Sequence, residues 1–110
     1  MKKAYIEIFD VAVYLAETKK DLNKMSKMFN NTNITEDIFD ESNNGLSFKY
    51  KGDYYLMVHN NTISTLSHEV LHAVIGMCNY RGIEDEETHC YLMTFIMKKF
   101  LGEKDKFGRL

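Results

Sequence analysis

The chain has 110 residues, 45% of them hydrophobic and 27% charged, with a net charge of −2. This composition predicts a single globular domain over residues 1–110 and argues against a disordered chain. The basic residues are scattered or in isolated pairs such as Lys19-Lys20 and Lys98-Lys99, with no stripe to neutralise phosphates, so nucleic acid is not expected as a partner. No apolar run approaches the ~18 residues of a membrane span, so no membrane partner is expected either. Cys78 and Cys90 form no C-x-x-C pair and read as reduced thiols. Glu7 and Asp10 interrupt the apolar start that a secretory signal would need, which makes the cytoplasm the expected location.

Residues 5–15, rich in Ile, Phe, Val and Tyr, read as a strand whose apolar phase slips between Ile8 and Phe9, through a bulge or two buried faces. Thr18 then caps a first helix, with Asp21 in its first turn and Leu22, Met25, Met28 and Phe29 at helical spacing. Residues 30–45 are polar loop, with one short turn anchored by Ile34, Ile38 and Phe39. Glu36, Asp37, Asp40 and Glu41 form a solvated face there. Leu46, Phe48 and Tyr50 alternate with Ser47, Lys49 and Lys51. After a Lys51-Gly52-Asp53 turn, Tyr54–Val58 completes a hairpin. His59, among polar Asn neighbours, reads as an exposed residue at the strand end.

A helix follows from about Ile63 to Asn79, capped by Thr62 or Ser64 and ended by Arg81-Gly82. Leu66, Val70, Val74 and Met77 form its apolar row, widened by Leu71, Ile75 and Cys78, so burial on most sides is expected. A last helix runs from about Asp85 to Leu101 with Tyr91, Leu92, Phe95, Ile96, Phe100 and Leu101 available to the core, and residues 102–110 form a frayed tail. The expected fold class is α+β: a short antiparallel or mixed sheet of about three strands, packed on the two last helices.

The chemistry lies in His68-Glu69-Val70-Leu71-His72. Four-residue spacing on a helix puts both imidazoles on one face, able to share one Zn²⁺. Glu69, rotated ~100° from His68, flanks the metal and is placed to act as general base on its water. Two unpartnered histidines and a glutamate within so apolar a helix would be costly to bury without such a role. A catalytic zinc usually has three protein ligands. Cys78, ten residues after His68, points away from the histidine face because no glycine stops the helix at Ile75, so it reads as core. Glu84, Asp85, Glu86, Glu87, His89 and Cys90 at the start of the last helix offer better sources. Periodicity does not choose among them. It turns His89 towards the apolar arc with Met93, Ile96 and Phe100, which makes it a candidate ligand beside its plainer reading as a core histidine bonded to the backbone. Gly76, one turn beyond His72, is expected to let the last helix approach closely.

The run of hairpin, Ser67-His68-Glu69-Val70-Leu71-His72-Ala73, Arg81-Gly82-Ile83 and Glu86-Glu87-Thr88-His89-Cys90-Tyr91-Leu92 resembles the small H-E-x-x-H proteins of bacteriophages, of the minimal gluzincin type. The resemblance covers roughly residues 45–101. It implies a zincin-like domain and a peptidase, acting in the host cytoplasm on a peptide or protein substrate, host proteins included. In that family the last helix carries Glu-Ala-x-Ala-Tyr, whose Glu is the third zinc ligand. Glu87 falls on that Glu and Tyr91 on that Tyr, with Thr88 and Cys90 in place of the alanines. The resemblance thus implies a zinc set of His68, His72 and Glu87, with His89 the alternative to Glu87. Tyr91, one turn from Glu87, is expected either to donate to the oxyanion or orient that ligand, or simply to fill the core. The strand Tyr54–Val58, which runs into the metal helix, is expected to serve as a sheet edge that pairs with an extended peptide substrate. The competing expectation is a non-catalytic, zinc-stabilised phage protein that binds and modulates a host partner.

Overall fold

The computed structural model describes residues 1–29, 44–59 and 62–102. Strands β1 (Lys2–Ile6), β2 (Val11–Ala16), β3 (Gly45–Tyr50) and β4 (Asp53–Val58) form one sheet in the order β1-β2-β4-β3. The β1–β2 and β3–β4 pairs are antiparallel, and β2 and β4 run parallel at the centre. Helices α1 (Lys19–Phe29), α2 (Ile63–Tyr80) and α3 (Glu86–Leu101) complete an α+β domain. The turn expected around Ile34–Phe39 and the acidic residues between them fall outside the described residues, as does the tail beyond Gly102.

Two-residue periodicity sorts the strand side chains between two cores. Val11, Val13 and Leu15 of β2 and Tyr54, Leu56 and Val58 of β4 pack with α2 and α3. Ala16, Tyr55 and Met57 pack with Leu22 and Met25 of α1. The unbroken apolar run at Tyr54–Val58 is therefore a central strand buried on both faces.

The phase slip at Ile8 and Phe9 is neither a bulge nor a single two-faced strand. It is a single 3₁₀ turn, Glu7–Phe9, after which Asp10 takes a left-handed backbone (φ 51°), turning the chain from β1 into β2. Ile8, 76% exposed, lies in that turn, and the sheet gains a fourth strand. The β3–β4 connection has positive φ at Lys51 and Gly52, the hand that matches strand twist in a two-residue hairpin.

The helix caps follow the expected chemistry. The Thr18 hydroxyl accepts from the Asp21 N–H, and Thr62 from the Thr65 N–H. Arg81 closes α2 by donating to the Met77 carbonyl, and reaches the Phe9 carbonyl with a second guanidinium nitrogen. α2 is buried along one face rather than most of its circumference, because Leu71 and Ile75 remain 43% and 41% exposed. On α3, Leu92, Ile96 and Phe100 are buried, whereas Tyr91 and Leu101 are exposed. Among the described residues no helix is long and apolar enough to cross a membrane.

Asp85 caps α3 by accepting from the Thr88 hydroxyl (2.7 Å) and the Thr88 N–H (3.1 Å). Those bonds, the hydroxyl foremost, hold its carboxyl below the ordinary value of 3.8. A lowered carboxyl stabilises the fold above its unfolded value, and that contribution fades as the pH falls through the folded value. Asp85→Ala is thus expected to melt below wild type at neutral pH, with the gap closing as the pH drops below 3.8. A gap independent of pH in thermal melts would contradict the cap assignment.

Candidate metal centre

Thr62 fixes the start of α2, and the buried row Leu66, Val70, Ala73, Val74 and Met77 fixes its rotation against the sheet. That rotation leaves His68 and His72 exposed, one turn apart, beside β3. Their Nε2 atoms stand 3.1 Å apart. Two imidazole nitrogens sharing one tetrahedral Zn²⁺ at ~2.0–2.1 Å each are separated by ~3.3 Å, so the pair has the bite that one ion requires.

Glu69 turns inward. It is the one buried charged residue among those described, 6% exposed. One donor atom from each of His68, Glu69 and His72 lies within 4.8 Å of the others. Among the described residues, no hydrogen bond or ion pair holds the Glu69 carboxylate. Burial pushes its pKa up, and the neighbouring His68 and His72 pull it partly back. A buried carboxylate without a partner is costly, which makes Glu69 a candidate functional residue. The donor set of two neutral nitrogens flanked by this carboxylate fits a borderline divalent cation such as zinc.

Space for the carboxylate comes from Gly45. A Cβ at that position would lie 2.9 Å from Glu69 Oε2 and 2.9 Å from the Met57 carbonyl oxygen. Gly45, Ser47, Lys49 and Tyr54 line a cleft of about 400 Å³ together with His68, Glu69 and His72. The edge of this cleft is β3. Tyr54–Val58, expected to serve as a sheet edge, is instead enclosed between β2 and β3. The His59 N–H donates to the Asn44 carbonyl, which makes Asn44 and His59 a hydrogen-bonded pair. Antiparallel alternation then directs the N–H and C=O groups of Gly45, Ser47 and Lys49 outward, along an edge that no other described strand pairs with.

The last helix contributes none of the expected site residues to this cluster. Glu87 is exposed in the first turn of α3, where with Glu86 it complements the helix dipole. His89 is half-buried and hydrogen-bonds through Nδ1 to the Asp85 carbonyl (2.8 Å), the plainer of its two readings. Among the described residues, neither joins His68, Glu69 and His72. Tyr91, 65% exposed, stacks on Phe95 and lines a separate cleft with Lys3 and Ile8. At Gly76 the atoms nearest an added Cβ belong to Tyr54, its hydroxyl first, rather than to α3. His59 is exposed at the strand end, as its polar surroundings suggested.

Gly45, Ser47, Lys49 and Tyr54 are the cleft residues that sequence reasoning did not single out. The signal for the first three was the face of β3 opposite Leu46 and Phe48, which is small or polar, whereas Tyr54 stands in the unbroken apolar run of β4 and gave none. No protein-family model, curated protein or solved structure matches the chain.

Proposed function

We propose that the protein is a zinc-dependent hydrolase acting on peptides, with His68 and His72 as metal ligands and Glu69 as general base. The observation that carries this reading is the convergent histidine pair, 3.1 Å between nitrogens, beside a buried carboxylate that has no hydrogen bond or ion pair among the described residues. Bound zinc supplies Lewis acidity, polarising a carbonyl and making water easier to deprotonate. Glu69 accepts the proton of the attacking water at its carboxylate and returns it to the departing amine. The outward N–H and C=O groups of Gly45, Ser47 and Lys49 align an extended peptide beside the histidines by adding it to the sheet as a strand.

A structural zinc site is closed by four protein ligands. Two exposed histidines opening on a cleft favour the catalytic reading over that of a zinc-stabilised binding protein. The resemblance makes Glu87 the third ligand and His89 its alternative, but both side chains stand outside the cluster. The Glu87→Ala and His89→Ala variants are therefore expected to keep their zinc.

Metal analysis tests the proposal. Wild type is expected to bind about one zinc per chain and His72→Ala to lose it, since the remaining imidazole of the pair no longer chelates the ion. Chelation is expected to stop peptide cleavage without unfolding the domain. A wild-type protein that takes up no zinc when offered an excess would overturn the reading.

A further inference from the structure

The cleft is charged unevenly. Glu69 lies at the Gly45 end, and Lys49 is the one lysine or arginine among the described residues lining it. The Lys49 ammonium rests 3.8 Å from the ring centroid of Tyr80, which holds a long side chain in place without neutralising it. Among the described residues Lys49 has no ion pair.

Tyr54 is the direct cross-strand partner of Lys49, so both side chains stand on the α2 face of the sheet. Tyr54 is 5% exposed, and its hydroxyl lies where a Cβ at Gly76 would meet it at 2.9 Å. No hydrogen bond to that hydroxyl is made among the described residues. A buried phenol without a partner is an unmet donor, and such groups call for an explanation. Desolvation raises its pKa, so it stays protonated and able to donate at neutral pH.

We propose that Lys49 and Tyr54 form a carboxylate subsite at the end of the cleft away from Glu69, so that the substrates are peptides carrying a carboxylate at a fixed distance from the scissile bond. This rests on the hydrolase reading. Lys49 supplies the charge and Tyr54 a hydrogen bond. Gly45, against Glu69, and Lys49 are the two ends of this stretch of β3, and an extended chain advances ~3.3 Å per residue. The carboxylate therefore falls roughly two to four residues from the bond cut. An Asp or Glu side chain and a peptide C-terminus both offer that group.

The test uses the full chain as its zinc-loaded Glu69→Gln variant, which binds without turnover, and short fluorescent peptides with amidated ends. A single Glu is moved along an otherwise neutral sequence, with Gln at the same position as control. At one register Glu is expected to tighten binding at least about tenfold over Gln. Adding Lys49→Met should abolish that difference, and adding Tyr54→Phe should reduce it while keeping the ring. Adding Lys49→Glu should shift the preference to Lys. A peptide truncated at that register with a free C-terminus assigns the subsite to the terminal carboxylate if it binds as tightly. If only the internal Glu binds tightly, the side chain is the ligand. Equal binding of Glu and Gln at every register, no binding of any peptide, or equal weakening of both by Lys49→Met overturns the subsite. Cleavage by wild type without acidic preference keeps the hydrolase and removes the subsite. Lys49-dependent binding of Glu peptides that wild type never cleaves does the reverse.

Discussion

Replacing Glu69 with Gln is expected to cut peptide turnover by ~10²–10⁴-fold, the usual contribution of a positioned general base. Zinc content should stay at the wild-type level if, as proposed, the histidine nitrogens carry the metal. The substitution keeps the shape of the side chain and removes its charge and basicity. The zinc-free variant should be no less stable than zinc-free wild type, because a buried carboxylate held by no partner among the described residues gives way to a neutral amide. Full activity in a zinc-loaded Glu69→Gln protein would remove Glu69 from the chemistry. Loss of zinc together with activity would instead recast it as a ligand.

Gly45→Ala is expected to damage both the fold and the site. The added methyl meets the Met57 carbonyl oxygen, which is backbone and held within the β3–β4 pair, and the Glu69 carboxylate, each at 2.9 Å. Overpacking of this kind costs about 1–3 kcal/mol. The carboxylate is the softer of the two neighbours and yields first, so kcat should fall while zinc is retained. Combining Gly45→Ala with Glu69→Ala relieves one clash and leaves the other, so the melting temperature should recover only in part. A Gly45→Ala protein with wild-type melting temperature and kcat would show that the carboxylate does not need that space.

What the sequence disclosed and what it hid divide along physical lines. α2 was legible because its apolar residues recur at helical spacing and Thr62 marks its start. The histidine pair was legible because four-residue spacing on a helix fixes which side chains meet. The β3–β4 hairpin announced itself through alternation and Lys51-Gly52. Alternation, however, reports which face of a strand is buried and says nothing about which strand lies alongside. Hence β4 passed for an edge, although it lies enclosed beside β2, a strand some forty residues earlier in the chain. The β1–β2 turn was hidden because Ile8 and Phe9 are as apolar as the strands they separate. Leu71 and Ile75 show the same ambiguity on α2, since an apolar side chain can remain at the surface without large cost. The burial of Glu69 was illegible for another reason: it depends on Gly45, and an isolated glycine after two asparagines reads as a loop.

The cleft is built from neighbours in the chain. Every described residue that lines it comes from 45–72, a hairpin followed directly by its helix. The β1–β2 hairpin and α3 back this unit without entering it. Loop-closure entropy grows with the length of chain between the parts being joined, so bringing these groups together asks little of the polypeptide. Local contacts of this kind also form quickly. The parallel β2–β4 pairing, which must close a long stretch of chain, is the slower event. The histidine–glutamate constellation therefore belongs to the part of the molecule that can order itself first, before the sheet is complete.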